Sequence, residues 1–246
     1  MAISALLIDF KVFAPINIDY QSALEQLAKQ YGKFVKSAPM DVFAQIELIK
    51  EKATKKEFEE FAPKMSQLLD RMEIGQIGNF YLNMGVKNGL AELDNLDVSV
   101  VALAELGKNA AEKFLKEKDI DSYFGKLVTR ETIGEPSDLG SRLNRALGKD
   151  ELKQEECVYF CNKLSDLKLA KASNFRTIVL PSKGEKLDLM MLEKPLGMIM
   201  SLEEIPNLLS LDVARAEKPK AAQMRSEGKE SAESSEEPAD DSLDSG

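Results

Sequence analysis

The first residues in this chain with the means to do chemistry lie in "ALLIDFKVFA", residues 5–14. An apolar run ends on Asp9, and Lys11 stands two places later. A continuous apolar run reads as a strand buried on both faces of a parallel sheet. Functional side chains of such sheets gather at the strand carboxyl ends, which makes Asp9 a candidate nucleophile. The 246 residues include no histidine. That excludes Ser-His-Asp and Cys-His couples and zinc sites built on imidazole. Acid–base work is left to carboxylates, lysines, tyrosines and the two cysteines. Cys157 and Cys161 share the run "ECVYFCN". On one strand they would lie about 13 Å apart, too far for a disulfide, whose α-carbons must come within roughly 7 Å. Cys161 is read as a small buried hydrophobe rather than a reactive thiol.

Composition narrows the classes further. The chain is 43% hydrophobic and 30% charged, enough for one sizeable core with an insertion. Its net charge of −9 is concentrated at one end. Residues 227–246 carry eight acidic side chains against Lys229, a net −7, which leaves only −2 for the first 226 residues. No basic stripe with interleaved aromatics supports nucleic-acid binding, and no apolar run approaches the 18 residues of a membrane span. Two unpaired thiols without a cleavable leader point to the cytosol. Residues 214–246 are expected to be a disordered acidic tail, either solubilising or a serine-rich segment for docking or phosphorylation.

The elements that must position Asp9 follow from periodicity. Tyr20, Leu24, Leu27 and Tyr31 recur at helical steps, and Gly32 follows where a helix would stop. Asp19 falls near that helix start and reads as a local cap rather than a metal ligand. Helical spacing continues through Met40, Phe43, Ile46 and Ile49, then Phe58, Phe61, Met65, Leu68 and Met72. From residue 96 strands and helices alternate: "DVSVVAL", "NAAEKFLKEK", "GKLVT", "SDLGSRLNRALG", "CVYFC", "SDLKLAKAS", "FRTIVL", "GMIM" and "LEEIPNLLSL". Ser137 is the expected start of the helix that Gly148 ends. Tyr159 and Phe160 are read as strand packing, and Met190, Met191, Met198 and Met200 as core and strand residues. The pattern predicts an α/β, Rossmann-like, mostly parallel sheet with helices on both faces and an inserted α-helical cap.

A strand ending on aspartate, a helical insertion and a Rossmann-like run resemble the haloacid dehalogenase superfamily. "GEPSDLGSRLNRAL" is similar to that family's third motif and helix, and "EECVYFCNKLSDLKLAKASNFRTIVLPS" to its fourth. The resemblance implies a core of residues 1–13 and 89–213 with a cap of residues 14–88. It also implies a covalent mechanism. The first aspartate attacks, a second aspartate two places on exchanges protons, and magnesium bridges the nucleophile and a fourth-motif acid.

Set against that pattern, Asp9 keeps the nucleophile position while Lys11 replaces the second aspartate. Ala104 stands where a strand-ending hydroxyl is usual, and Glu135 reverses the charge of the third-motif lysine. Cys161 and Asn162 replace glycine-aspartate, and Asp166 remains as the later acid. Arg130 and Arg142 are candidates for the missing cation. Lys11 and Asn162 disfavour magnesium, so no cofactor is expected, and Lys11 is read as a metal surrogate pairing with Asp9 and Asp166. The expected function is a binding, scaffold or regulatory protein that has lost phosphatase activity. Its partner would be a protein, reached through cap, cleft or acidic tail. The alternative is a metal-independent or modified hydrolase using Asp9 on a small phosphorylated or halogenated substrate.

Overall fold

Alternate side chains of the first strand enter two different cores, which is why its sequence is apolar without a break. In a computed structural model that describes residues 3–32, 42–96, 98–130, 138–148 and 152–209, strand β1 is Ala5–Asp9 and every residue in it is buried. Leu6 and Ile8 join a cluster on one face of the sheet, Ala5 and Leu7 a cluster on the other. The remaining strands are β2 (Ser99–Gly107), β3 (Lys126–Arg130), β4 (Cys157–Cys161), β5 (Arg176–Val179) and β6 (Gly197–Met198). All pairs are parallel, in the order β3-β2-β1-β4-β5-β6, so β1 lies between β2 and β4. Met40, Glu135, Ser137 and the acidic tail lie outside the described residues.

Helices cover both faces. On the Leu6 side pack α1 (Phe10–Phe13), α5 (Val86–Asn95) and α6 (Lys108–Glu117), with Phe114 at the centre of α6's buried stripe. On the Leu7 side pack α7 (Leu139–Leu147), α8 (Leu164–Ala172) and α9 (Leu187–Leu192). Between β1 and β2 the chain makes α2 (Gln21–Tyr31), α3 (Val42–Lys52) and α4 (Lys55–Ile77). These three share a separate apolar core built on Leu27, Ile46, Ile49, Phe61 and Leu69. α4 opens on a reciprocal cap, with Thr54 and Glu57 each bonding the other's backbone N–H.

Three local expectations are corrected. α7 begins at Asp138, whose carboxylate accepts a hydrogen bond from Ser141 N at 3.0 Å. Met190 and Met191 lie on α9 rather than a strand; Met190 is buried, whereas Met191 and Met200 are largely exposed. A short run such as "LDLMML" has no periodicity long enough to separate helix from strand. β2 continues past Ala104 to Gly107, with a register shift against β3 between Leu103 and Gly107.

α5 is held by its contact with the 3-10 turn Leu202–Glu204. A β-carbon on Gly89 would stand 2.6 Å from Leu202 Cβ and 2.7 Å from its backbone carbonyl carbon. Backbone cannot yield as a side-chain tip can, so Gly89→Ala should destabilise by about 1–3 kcal/mol. Urea unfolding of the two proteins checks this.

Candidate functional site

Asp9 projects from the end of β1 on the face that carries α7, the same face as Leu7 and Tyr159. It does two things locally. Its extended backbone ends the strand, and its Oδ1 accepts from Lys11 N at 2.8 Å, capping α1. Its Oδ2 lies 3.9 Å from Arg142 Nη1 on α7 and 3.5 Å from the Tyr159 hydroxyl, the outer limit of a hydrogen bond. Asp9 is 2% exposed. Burial pushes its carboxyl up to about 6, against the opposing attraction of Arg142 and Lys11.

The Lys11 ammonium does not pair with Asp9 or Asp166. It forms an ion pair with Glu105, near the end of β2. Register explains the choice: Asp9 is opposite Leu103, so Glu105, two residues further along β2, rises on the face of Asp9 and Leu103, within reach of the Lys11 side chain at the end of the sheet. Glu105 also accepts from Arg142 Nη2 at 3.1 Å, so its carboxylate bridges both cations. Burial would push Lys11 down, but Glu105 outweighs it and holds the ammonium above its ordinary range. Burial likewise opposes ionisation of Glu105, yet Lys11 and then Arg142 keep it below the usual carboxylate range.

Just past the end of β4, Asn162 donates Nδ2 to the Lys11 carbonyl at 3.1 Å, fixing the backbone after Asp9. Its Oδ1 is buried and has no partner among the described residues. Cys161 is buried, and its thiol is pushed well up by burial and then by Asp166 and Asp9, which leaves it unreactive. Both cysteines are free. Asp166 stands in the first turn of α8 and shares an outer hollow with Glu105 and Arg142. Burial, and then Glu105, raise its carboxyl.

Of the two arginines considered from sequence, Arg142 reaches the Asp9 cluster and Arg130 does not. Arg130 binds Glu73 of α4 at 2.5 Å and Asp70 at 3.3 Å, with its guanidinium 5.5 Å from the Phe43 ring. Glu73, 0% exposed, also accepts from Gly107 N at 2.8 Å and the Tyr20 hydroxyl at 2.7 Å. Asp19 stays at the α2 entry, accepting from Gln21 N at 2.9 Å.

Glu73 is the participant that sequence reasoning passed over, whereas Glu105 belongs to the strand end Ala104-Glu105, where functional side chains are expected, with no role read for it. Glu73 carried a readable signal, since Leu69, Glu73 and Ile77 are four apart on one buried helical stripe. Glu105 carried a weaker one, a charged residue between buried Ala104 and Leu106 at a strand end.

Two cavities meet here, sharing Lys11, Phe43 and Glu105. One, about 270 Å³, is walled mainly by Phe10, Ile16, Ile18, Val42, Phe43 and Leu106, with Asp9 also on its surface. The other, about 460 Å³, is faced by the cations Lys11, Arg130, Arg142 and Lys163. Among the described residues no three His, Cys, Asp or Glu side chains gather as a metal ion would need, and no helix is long and apolar enough to cross a membrane.

Residues 17–180 match the haloacid dehalogenase-like hydrolase family, a stretch that starts after Asp9 and Lys11. No curated protein matches the chain. Several solved structures share the fold. A haloacid dehalogenase-like hydrolase from Streptococcus pneumoniae superposes with a TM-score of 0.55 at 12% identity, over 83% of this chain and 97% of that one. CbbY from Rhodobacter sphaeroides, solved in complex with phosphate, gives 0.54 at 15% identity over 82% and 96%. A protein described as a predicted phosphoglycolate phosphatase from Haemophilus somnus gives 0.56 at 13% identity over 84% and 97%.

Proposed function

Because the chain belongs to the haloacid dehalogenase-like hydrolase family, we propose that it is a member that has lost phosphatase chemistry and uses its cleft to bind. The observation that carries this reading is the Lys11–Glu105 ion pair. Two residues after the nucleophile, a phosphatase of this family needs a group that protonates the leaving oxygen and then activates water. An ammonium held above its ordinary range by Glu105 cannot take a proton from water near neutral pH. Asp9 itself is engaged in capping α1 and faces Arg142.

The donor set also does not fit magnesium. A divalent ion about 4 Å from the Lys11 ammonium would meet a repulsion of roughly 8 kcal/mol at an effective dielectric near 20. Asn162 brings no charge to offset it, and its amide is turned to the Lys11 carbonyl. In this reading residues 14–88 act as a cap over the cleft. The cap and the acidic tail are the further surfaces open to a protein partner.

The test is a screen of sugar phosphates and p-nitrophenyl phosphate, with and without magnesium. Wild type is expected to match Asp9→Asn at background. Turnover that depends on Asp9 and rises with magnesium would overturn the reading.

One observation favours a second reading, a metal-independent hydrolase. Asp9 lines an apolar cavity and, with its carboxyl at about 6, is ionised at neutral pH. Halide release from short 2-haloacids without magnesium, abolished in Asp9→Asn, would establish it.

A further inference from the structure

Glu105 occupies the middle of the cleft in a way that its strand does not require. Its neighbours Ala104 and Leu106 are buried, whereas the Glu105 side chain is 45% exposed on the boundary of both cavities. Its carboxylate receives one charge-assisted bond from Lys11 and a second from Arg142, and Lys163 also faces the cavity. Both donors are held in place. Arg142 is 4% exposed and fixed on α7, and Lys11 is partly buried on a backbone that Asn162 holds. Two anchored cations with a solvent-facing carboxylate between them form an anion receptor filled by the protein's own side chain. The neighbouring cavity is apolar and, at about 270 Å³, just under the roughly 300–1,000 Å³ of drug-sized pockets.

We propose that this cleft binds a short apolar monocarboxylate, whose head displaces Glu105 from Lys11 and Arg142 and whose tail enters the cavity lined by Ile16, Ile18, Val42, Phe43 and Leu106. The chemistry of the head is set by the group already seated there. Exchanging one carboxylate for another conserves both charge-assisted bonds, while Glu105 swings into water at little loss because it is half in water already. The gain comes from the tail, about fourfold per buried methylene. A cationic or neutral head would leave Lys11 and Arg142 to Glu105 and add nothing. The inference rests on the binding reading above and names its ligand class.

Calorimetric titration of the full chain with hexanoate, acetate, hexylamine and hexyl phosphate tests it. Hexanoate, with four more methylenes, is expected to bind about 250-fold more tightly than acetate, and hexylamine not to bind. Glu105→Gln removes the internal competitor and should tighten hexanoate about tenfold, whereas Phe43→Ala should weaken hexanoate and leave acetate unchanged. Equal affinity for hexanoate and acetate, weaker binding to Glu105→Gln, or a preference for hexyl phosphate over hexanoate would each overturn the assignment. The phosphatase screen is independent of these titrations. Turnover together with hexanoate binding removes only the loss-of-activity reading, and silence in both removes only the carboxylate ligand.

Discussion

Arg130→Ala should destabilise the protein by about 3–5 kcal/mol, the range for removing one partner of a buried ion pair. The side chain lies 5% exposed against Glu73, which is fully buried. Without the guanidinium, the Glu73 carboxylate keeps, among the described residues, the Gly107 N–H and the Tyr20 hydroxyl, two neutral donors for a full charge. The penalty is that of an unpaired charge, so adding Glu73→Gln to Arg130→Ala should recover a large part of it. Replacing both residues together with apolar ones of similar volume should still cost about 1–3 kcal/mol, because the Gly107 N–H and the Tyr20 hydroxyl lose their acceptor. Guanidinium unfolding of the single and double variants separates these outcomes in one cycle. A loss below about 1 kcal/mol for Arg130→Ala would show that the pair is solvated and contributes no more than a surface bridge. The same cluster joins α2 through Tyr20, α4 through Glu73 and Asp70, and the ends of β2 and β3 through Gly107 and Arg130. Its loss should therefore loosen the three-helix layer from the sheet, with faster amide exchange in α4.

Asp9→Asn should act in the opposite direction and stabilise the fold at neutral pH. Burial raises the Asp9 carboxyl from 3.8 to about 6, so the folded state holds the proton more tightly than the unfolded chain. The stability this confers is complete below about pH 4 and disappears as pH rises through about 6. At about 1.36 kcal/mol per pH unit, the contribution of Asp9 alone should fall by roughly 3 kcal/mol across that window. Asparagine keeps an oxygen to cap α1 and has no proton to lose. The variant should equal the wild type near pH 4 and exceed it by about 1–3 kcal/mol at pH 7, the lower figure allowing for the weaker attraction between Arg142 and a neutral amide. Arg142 keeps Glu105 at 3.1 Å, so it is not left without a carboxylate. Urea titrations at the two pH values check the prediction, and a variant less stable than wild type at pH 7 would contradict it.

How far each feature could be read from sequence depended on how local its cause is. β1 was legible because burial on both faces forces an unbroken apolar run, and α2 and α4 because their buried stripes repeat at helical steps. The sheet followed from alternation of strands and helices. The position of Asp9 at a strand end was equally local. Its partners were not. Which carboxylate meets Lys11 depends on the register that sets Asp9 opposite Leu103, and that register is a property of two distant strands. Arg142 reaches Asp9 only because α7 packs on the Leu7 face. Glu73 was hidden because charge on a helix reads as solvent-facing until something opposes it, and Arg130 comes from an element after the next strand. The expectation for Lys11 paired it with Asp9 and Asp166, whereas its ion pair is with Glu105.

The strand order also bears on how the protein is made. Ala5 pairs with Ser99 on one side and Cys157 on the other, so β1 is synthesised well before either strand that flanks it, and its second neighbour follows only after β2 and β3. In the interval α2–α4 emerge with a core of their own, drawn from contacts close in sequence. The nascent chain thus carries an early helical unit tethered to an unpaired hydrophobic strand, the kind of segment that chaperones cover and that aggregates when they do not. Synthesis must pass Cys161 before "ALLID" is hydrogen-bonded along both edges. Truncation before that point leaves the protein's central strand as its stickiest surface.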